Sequence, residues 1–346
     1  MTCIFIIFIL FCLFSAKYKN PFSKDFHDDF LSRESTQMIN GIFVFLVFMT
    51  HFSSYVDEFF KVDSIYLMIN KFLGQCVVTT FLFYSGYGIT EQIKKDRLLY
   101  TKKLITSRFF SLWIKFIICV ILYVILAIVM GNYPTIKQIL FSFVALDSVG
   151  NSAWYIFYML CAYLIMFFSF RYTKSKNWNI ILVFLLSVVY TLLVYLCKND
   201  SPAYYLVSFV FPFGVLFSLY REKIIAFFTS HYWFVFSFVL VFYGLSFLIR
   251  HKLNLGGVSY NVTAICFILI VLLISLKIKF ENRILKFLGS YIFEIYILQR
   301  IPMIALQPIY KKFFFETVSY LFYFFICMIL TLFFAYVFKL ILKKIR

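Results

Sequence analysis

The chain has 346 residues, 63% of them hydrophobic and only 14% charged, with a formal net charge of +18. Its apolar runs recur near the ~20 residues that a membrane-crossing helix needs, which excludes a water-soluble globule and makes the chain an integral membrane protein. A basic balance can signal binding to a phosphate backbone, but here the lysines and arginines lie in the loops between apolar runs, so no nucleic acid is expected as a partner.

The first run, "CIFIIFILFCLFSA" (3–16), has no basic region in front and is followed by Lys17, Lys19 and Lys24. A signal peptide carries its basic residues first, so a retained helix with its N-terminus outside is expected. Its 14 residues cover only about 21 Å, which leaves a tilted or interfacial helix open. Ten further spans are expected near 38–56, 72–90, 109–130, 153–170, 178–197, 204–220, 232–249, 258–276, 287–306 and 317–338. Residues 136–147 are too short to cross and are placed at the outer interface. The expected fold is an all-α integral membrane protein, a polytopic helical bundle of about 10–11 transmembrane helices with no separate soluble domain. Residues 1–33 form an extra N-terminal hydrophobic helix and linker, 34–340 the membrane domain, and 341–346 a basic tail.

Alternating the loops puts 19 basic residues on one side, among them Lys94, Lys95, Lys102, Lys103, Arg108, Lys174 and Arg221. Nine fall on the other: Lys61, Lys71, Lys137, Lys198, Arg250, Lys252, Arg300, Lys311 and Lys312. The positive-inside rule then assigns the richer side, and with it the C-terminus, to the cytoplasm, with some attraction to membrane lipids. The eight cysteines fall in or beside apolar runs without metal-ligand spacing, and no metal site is expected. No phosphate-cradling glycine-rich loop and no internal repeat is evident.

Several polar residues interrupt the spans. In "NGIFVFLVFMTH" His51 lies well inside the second span, and Asn40, eleven residues earlier, shares its helix face. The histidine reads either as an interhelical hydrogen bond or as a functional group, the default for an ionisable residue in a membrane. "FLFYSGYGI" ends the next span with Ser85, Gly86, Tyr87 and Gly88, glycines that allow another backbone or a ligand to approach. Arg108 opens the following span, as an interfacial anchor or facing an anionic ligand such as a phosphate. "LGSYIFEIYILQRIPM" places Ser290, Glu294, Gln299 and Arg300 in an apolar run, with Glu294 and Gln299 pointing about 140° apart.

In that order these segments resemble the membrane-bound acyltransferase family 3, the multi-span proteins that O-acylate carbohydrates. The resemblance covers about residues 34–340. "NGIFVFLVFMTH" is similar to the family's "KGIAILLVVLGH", "FLFYSGYG" to its "FFxxSGY", and Arg108 to an arginine entering the next helix. A tryptophan-led helix corresponds to "SAWYIFYMLCAY" at Trp154, "FPFGVLFSLY" to "fplGilfgly", and "LGSYIFEIYILQ" to the terminal "lGkiSyeiYLlH". Each motif is short and apolar, and the specificity lies in their order and spacing. Asn40 stands where the family has a basic residue, Ser111 where a second arginine often follows, and Gln299 where the terminal histidine lies.

The resemblance implies a transferase that moves acyl groups other than amino-acyl groups. The donor is an acyl-CoA, acetyl-CoA above all, with no bound cofactor, and the acceptor is a hydroxyl of a cell-surface or lipid-linked polysaccharide of the cell envelope. His51 is the expected catalytic base, since neutral imidazole can take the hydroxyl proton as the new bond forms. Asn40, Ser85, Tyr87, Arg108, Trp154, Glu294 and Gln299 are the expected substrate and donor contacts, with Arg108 placed to meet coenzyme A phosphates from the cytosol. The expected location is the plasma or inner membrane. Two other readings stay open. A glycan polymerase or flippase of the same pathway shares a basic many-span architecture, although a polymerase needs a larger external loop than 131–152. A catalytically inactive relative is allowed by Asn40 and Gln299.

Overall fold

The computed structural model describes residues 1–56, 59, 61–253, 256–313 and 319–344. The end of the expected tail (345–346) and the start of the last expected span (317–318) lie outside the described residues. In chain order the elements are α1 (Thr2–Phe14), β1 (Ala16–Tyr18), α2 (Arg33–Ser53), α3 (Ser64–Leu73), α4 (Cys76–Lys95) and α5 (Arg97–Lys103). A π-helical turn (Leu104–Phe109) leads into α6 (Phe110–Val129), followed by α7 (Ile136–Phe143), α8 (Trp154–Arg171), α9 (Lys176–Cys197) and α10 (Val210–Leu219). Then come α11 (Arg221–Ser230), α12 (Tyr232–Leu253), α13 (Gly256–Lys277), β2 (Ile278–Phe280), α14 (Arg283–Ser290), α15 (Ile292–Leu298), α16 (Arg300–Phe313) and α17 (Ser319–Lys344). Among the described residues nine helical stretches are long and apolar enough to cross a membrane, and α1 and α10 are shorter apolar helices. The fold is the expected all-α polytopic bundle, with no separate soluble domain among the described residues.

Two pairs of glycines set how closely the central helices cross. A Cβ on Gly41 of α2 would fall on the Leu285 carbonyl oxygen of α14, and one on Gly289 of α14 would fall on that of Gln37 in α2. Gly86 of α4 backs in the same reciprocal way onto Phe211 of α10, and Gly214 of α10 onto Phe83 of α4. Lipid gives helices no hydrophobic drive to associate, so such backbone-to-backbone packing supplies the contact area instead. The glycines of "NG", "SGYG", "FPFG" and "LGS" are thus the two central helix crossings. Gly88 differs, because a Cβ there would meet nothing within 4 Å.

The span expected at 204–220 is shorter than drawn. Pro212 is tolerated within the first turn of a helix, where its missing N–H is not needed, but not in a helix interior, and α10 accordingly begins at Val210. The backbone left over is satisfied from α13, where Asn261 Oδ1 accepts from Phe209 N at 2.8 Å and its Nδ2 donates to the Leu206 carbonyl at 2.9 Å. The span expected at 287–306 is broken into α14, α15 and α16. Pro302 removes the N–H that would close onto the Leu298 carbonyl, and the chain parts at Gln299. Gln299 itself keeps helical dihedrals, and beside the break the Tyr123 hydroxyl of α6 donates to the Ile297 carbonyl at 2.8 Å. The start expected at 72 moves to Cys76, because Gly74, at φ +48°, ends α3 first.

The all-α bundle carries one short ribbon that the sequence reading did not include. β1 pairs antiparallel with β2, Lys17 facing Lys279, and ties the N-terminal segment to the connection after α13. The Lys277 ammonium donates to the carbonyls of Asn20, Ser23 and Asp25 at 3.0, 2.7 and 2.9 Å and sits 4.0 Å from the Phe26 ring centroid. The N-terminal segment is thereby folded against the membrane domain as a strap.

Candidate active site

Ser32 opens α2 by accepting from Ser35 N, with Glu34 in the first turn where the helix dipole favours an acid. Eighteen residues on, at about 1.5 Å each, the helix has carried His51 some 27 Å from Arg33 to its last turn. There the imidazole lies against Tyr296 of α15, ring centroids 6.0 Å apart, and Tyr296 in turn lies 5.3 Å from Tyr155 of α8. Arg300, the first residue of α16, is one helical turn beyond Tyr296. It is within electrostatic reach of His51 and of the Tyr55, Tyr123 and Tyr296 hydroxyls. The Ser152 hydroxyl, just before α8, lies beside that of Tyr296.

Buried polar atoms normally have partners. His51 Nδ1, Tyr296 Oη, Ser152 Oγ and Arg300 Nε are all buried and have none among the described residues. An imidazole, two hydroxyls and a guanidinium with unused hydrogen-bonding capacity, gathered at the end of α2, suit binding a hydroxyl and a carbonyl and moving a proton between them. Among the described residues no group of three or more His, Cys, Asp or Glu is arranged to hold a metal.

The family model described as an acyltransferase domain, acyltransferase family 3, matches residues 38–340, from α2 to α17. The chain belongs to this family. No curated protein and no solved structure matches it. It is therefore a multi-pass membrane acyltransferase.

In this acyltransferase the expected contact residues do not all meet. Ser85 lies beside the Tyr155 hydroxyl, and Trp154 packs on the Tyr155 ring at 6.0 Å, so both border the tyrosines that lead to His51. Gln299 is fully buried, its Nε2 donating to the Tyr296 carbonyl at 3.0 Å while its Oε1 has no partner among the described residues. Asn40 also keeps an unpaired buried Oδ1, but it stands about 16 Å from His51 along α2, so the two cannot touch one carbonyl. Tyr87 faces the other way, packed against α10 within reach of Glu91 and Arg221. Glu294 is buried on the side of α15 that meets Cys119 of α6. Arg108 is exposed in the π-helical turn, within electrostatic reach of Tyr163 of α8.

Tyr55, Tyr123, Tyr296, Ser152 and Arg300 are the neighbours that sequence reasoning missed. Twenty-six tyrosines spread along every apolar run hid the informative ones. Arg300 is visible both as a polar residue in an apolar run and as one of the nine outer-side basic residues, without a role in the site. The proline two residues after it was the signal that it begins a helix at a break.

Proposed function

We propose that this acyltransferase moves an acyl group, acetyl above all, from acyl-CoA to a hydroxyl of a cell-surface or lipid-linked glycan, with His51 as general base. The observation that carries the reading is the buried, unpaired Nδ1 of His51 among other unpaired polar atoms. A histidine placed only for interhelical packing would be expected to have its hydrogen bonds made. The acceptor O–H gives its proton to the imidazole as its oxygen attacks the thioester carbonyl, and the departing thiolate takes that proton back.

Arg108, with Lys102 and Lys103 exposed nearby, suits the phosphates of coenzyme A at the basic end of the bundle. That end faces the cytosol in this reading, with the C-terminus on the same side, in the plasma or inner membrane. Lys102, Lys103 and Arg108 need no fixed protein partner for this role.

The test is to incubate membranes containing the protein, or its His51→Ala variant, with radiolabelled acetyl-CoA, and to compare acetylation of surface glycans with and without the gene. His51-dependent label in carbohydrate, matched by loss of glycan acetyl groups on deletion, is the expected result. Equal label with both forms removes the proposal. Cysteine labelling from outside should reach probes near Pro134 and not near Lys95, and the reverse pattern overturns the orientation.

A further inference from the structure

Arg300 has no part in the proton transfer described so far, and its position is expensive. An arginine at membrane depth costs about 2.5–3.5 kcal/mol even on permissive insertion scales, and such residues line a functional cavity or pair with another charge. Among the described residues Arg300 forms no ion pair, and its Nε has no acceptor. Pro302 parts α15 from α16, Tyr123 takes up the Ile297 carbonyl at 2.8 Å, and the side chain that starts the new helix is delivered one turn past the Tyr296 ring that touches His51.

We infer that Arg300 is a catalytic residue that binds the carbonyl oxygen of the transferred acyl group and stabilises the negative charge it acquires. The inference rests on the acyl-transfer reading. When the acceptor oxygen attacks the thioester carbon, its proton passes to His51 and the carbonyl electron pair moves onto oxygen. A guanidinium N–H donates to that oxygen. As the C=O bond re-forms, the C–S bond breaks and the thiolate takes the proton from His51. A fixed cation in a site shielded from water is the kind of group that lowers such a barrier, because it needs no reorganisation as charge develops. Arginine also stays charged there and offers several donors in one plane.

The test uses membranes carrying wild type, Arg300→Gln or Arg300→Lys, radiolabelled acetyl-CoA as donor, and protein amount and thermal stability measured alongside. Arg300→Gln should lower kcat about 100-fold, the scale of losing one oxyanion donor, with KM for acetyl-CoA within about twofold of wild type because the donor's ground-state contacts remain. Arg300→Lys should recover part of the rate, and added guanidinium ion should partly restore the Gln variant. An active wild type with an Arg300→Gln variant within about threefold of it overturns the inference and leaves acyl transfer standing. So does a loss of rate that follows protein amount, or one that appears in KM alone. A wild type no more active than His51→Ala removes the acyl-transfer reading, and the inference falls with it.

Discussion

The His51 imidazole and the Tyr296 ring stand 6.0 Å apart with their planes tilted by 53°. They come from helices far apart in sequence, and Tyr296 carries the contact onward to Tyr155. Its hydroxyl is buried without a partner among the described residues. Tyr296→Phe keeps the ring packing and removes only that hydroxyl. Thermal stability should hold or rise slightly, since an unsatisfied buried group is removed, while transfer should fall about tenfold, the scale of one hydrogen bond of about 1.5 kcal/mol. A variant that melts earlier yet transfers at the normal rate would mean that Tyr296 is structural.

How much of this was legible in the sequence depends on whether a residue acts along its own helix or across several. Helix α2 could be read nearly complete, because its apolar length and its one histidine are local properties. The glycines of "SGYG" could be read as close-approach positions, which holds for Gly86 and not for Gly88, but neither the partner Phe211 nor the packing of Gly41 on Leu285 could be read, since nothing local says which backbone comes near. The break at Gln299 was written in Pro302, though a proline so near a possible helix start reads either way until the packing is seen. Tyr123 was not legible at all. Its hydroxyl matters because it donates to the Ile297 carbonyl, more than 170 residues later in the chain.

Gly86 and Gly88 separate packing from propensity within one motif. Gly86→Ala places a methyl on the Phe211 carbonyl and must push α4 and α10 apart, at a cost of about 1–3 kcal/mol or more. Gly88→Ala meets open space and should gain up to about 1 kcal/mol of helix propensity. Melting temperature in detergent should therefore fall for the first and hold or rise for the second. If both fall alike, the crossing is not where the structure places it.

The N-terminal strap should loosen in acid. Lys19, Lys279 and Lys17 hydrogen-bond the carboxylates of Asp25, Asp29 and Glu281 and hold all three below the usual carboxylate range. Folding lowers these pKa values, so the stabilisation is complete above the unfolded values near 4 and is lost as pH falls through the lower folded ones. These pairs are largely exposed and screened, so the effect is local. A spin label on Phe22→Cys, in a variant lacking the exposed Cys3 and Cys197, should gain mobility below about pH 4. Lys279→Met should move that change to higher pH. Mobility independent of pH from 7 to 3 would show that Lys277 and the ribbon hold the strap without the ion pairs.

His51 carries the sharpest contrast. If the imidazole is the general base, His51→Ala leaves a folded protein that transfers about 100-fold more slowly or worse. If it serves the fold alone, its removal costs about 0.6–2 kcal/mol, the range for a polar contact between membrane helices, and leaves transfer nearly intact. The structure sharpens the difference, because Nδ1 has no protein partner among the described residues to lose. His51→Gln adds a second discriminator, since an amide can donate and accept hydrogen bonds at this position but cannot take up a proton at neutral pH. Both variants should be present at normal amounts, melt within a few degrees of wild type and fail to acetylate glycan. A Gln variant that transfers at a near-normal rate would falsify the general-base assignment, because proton transfer would then have to run through another group.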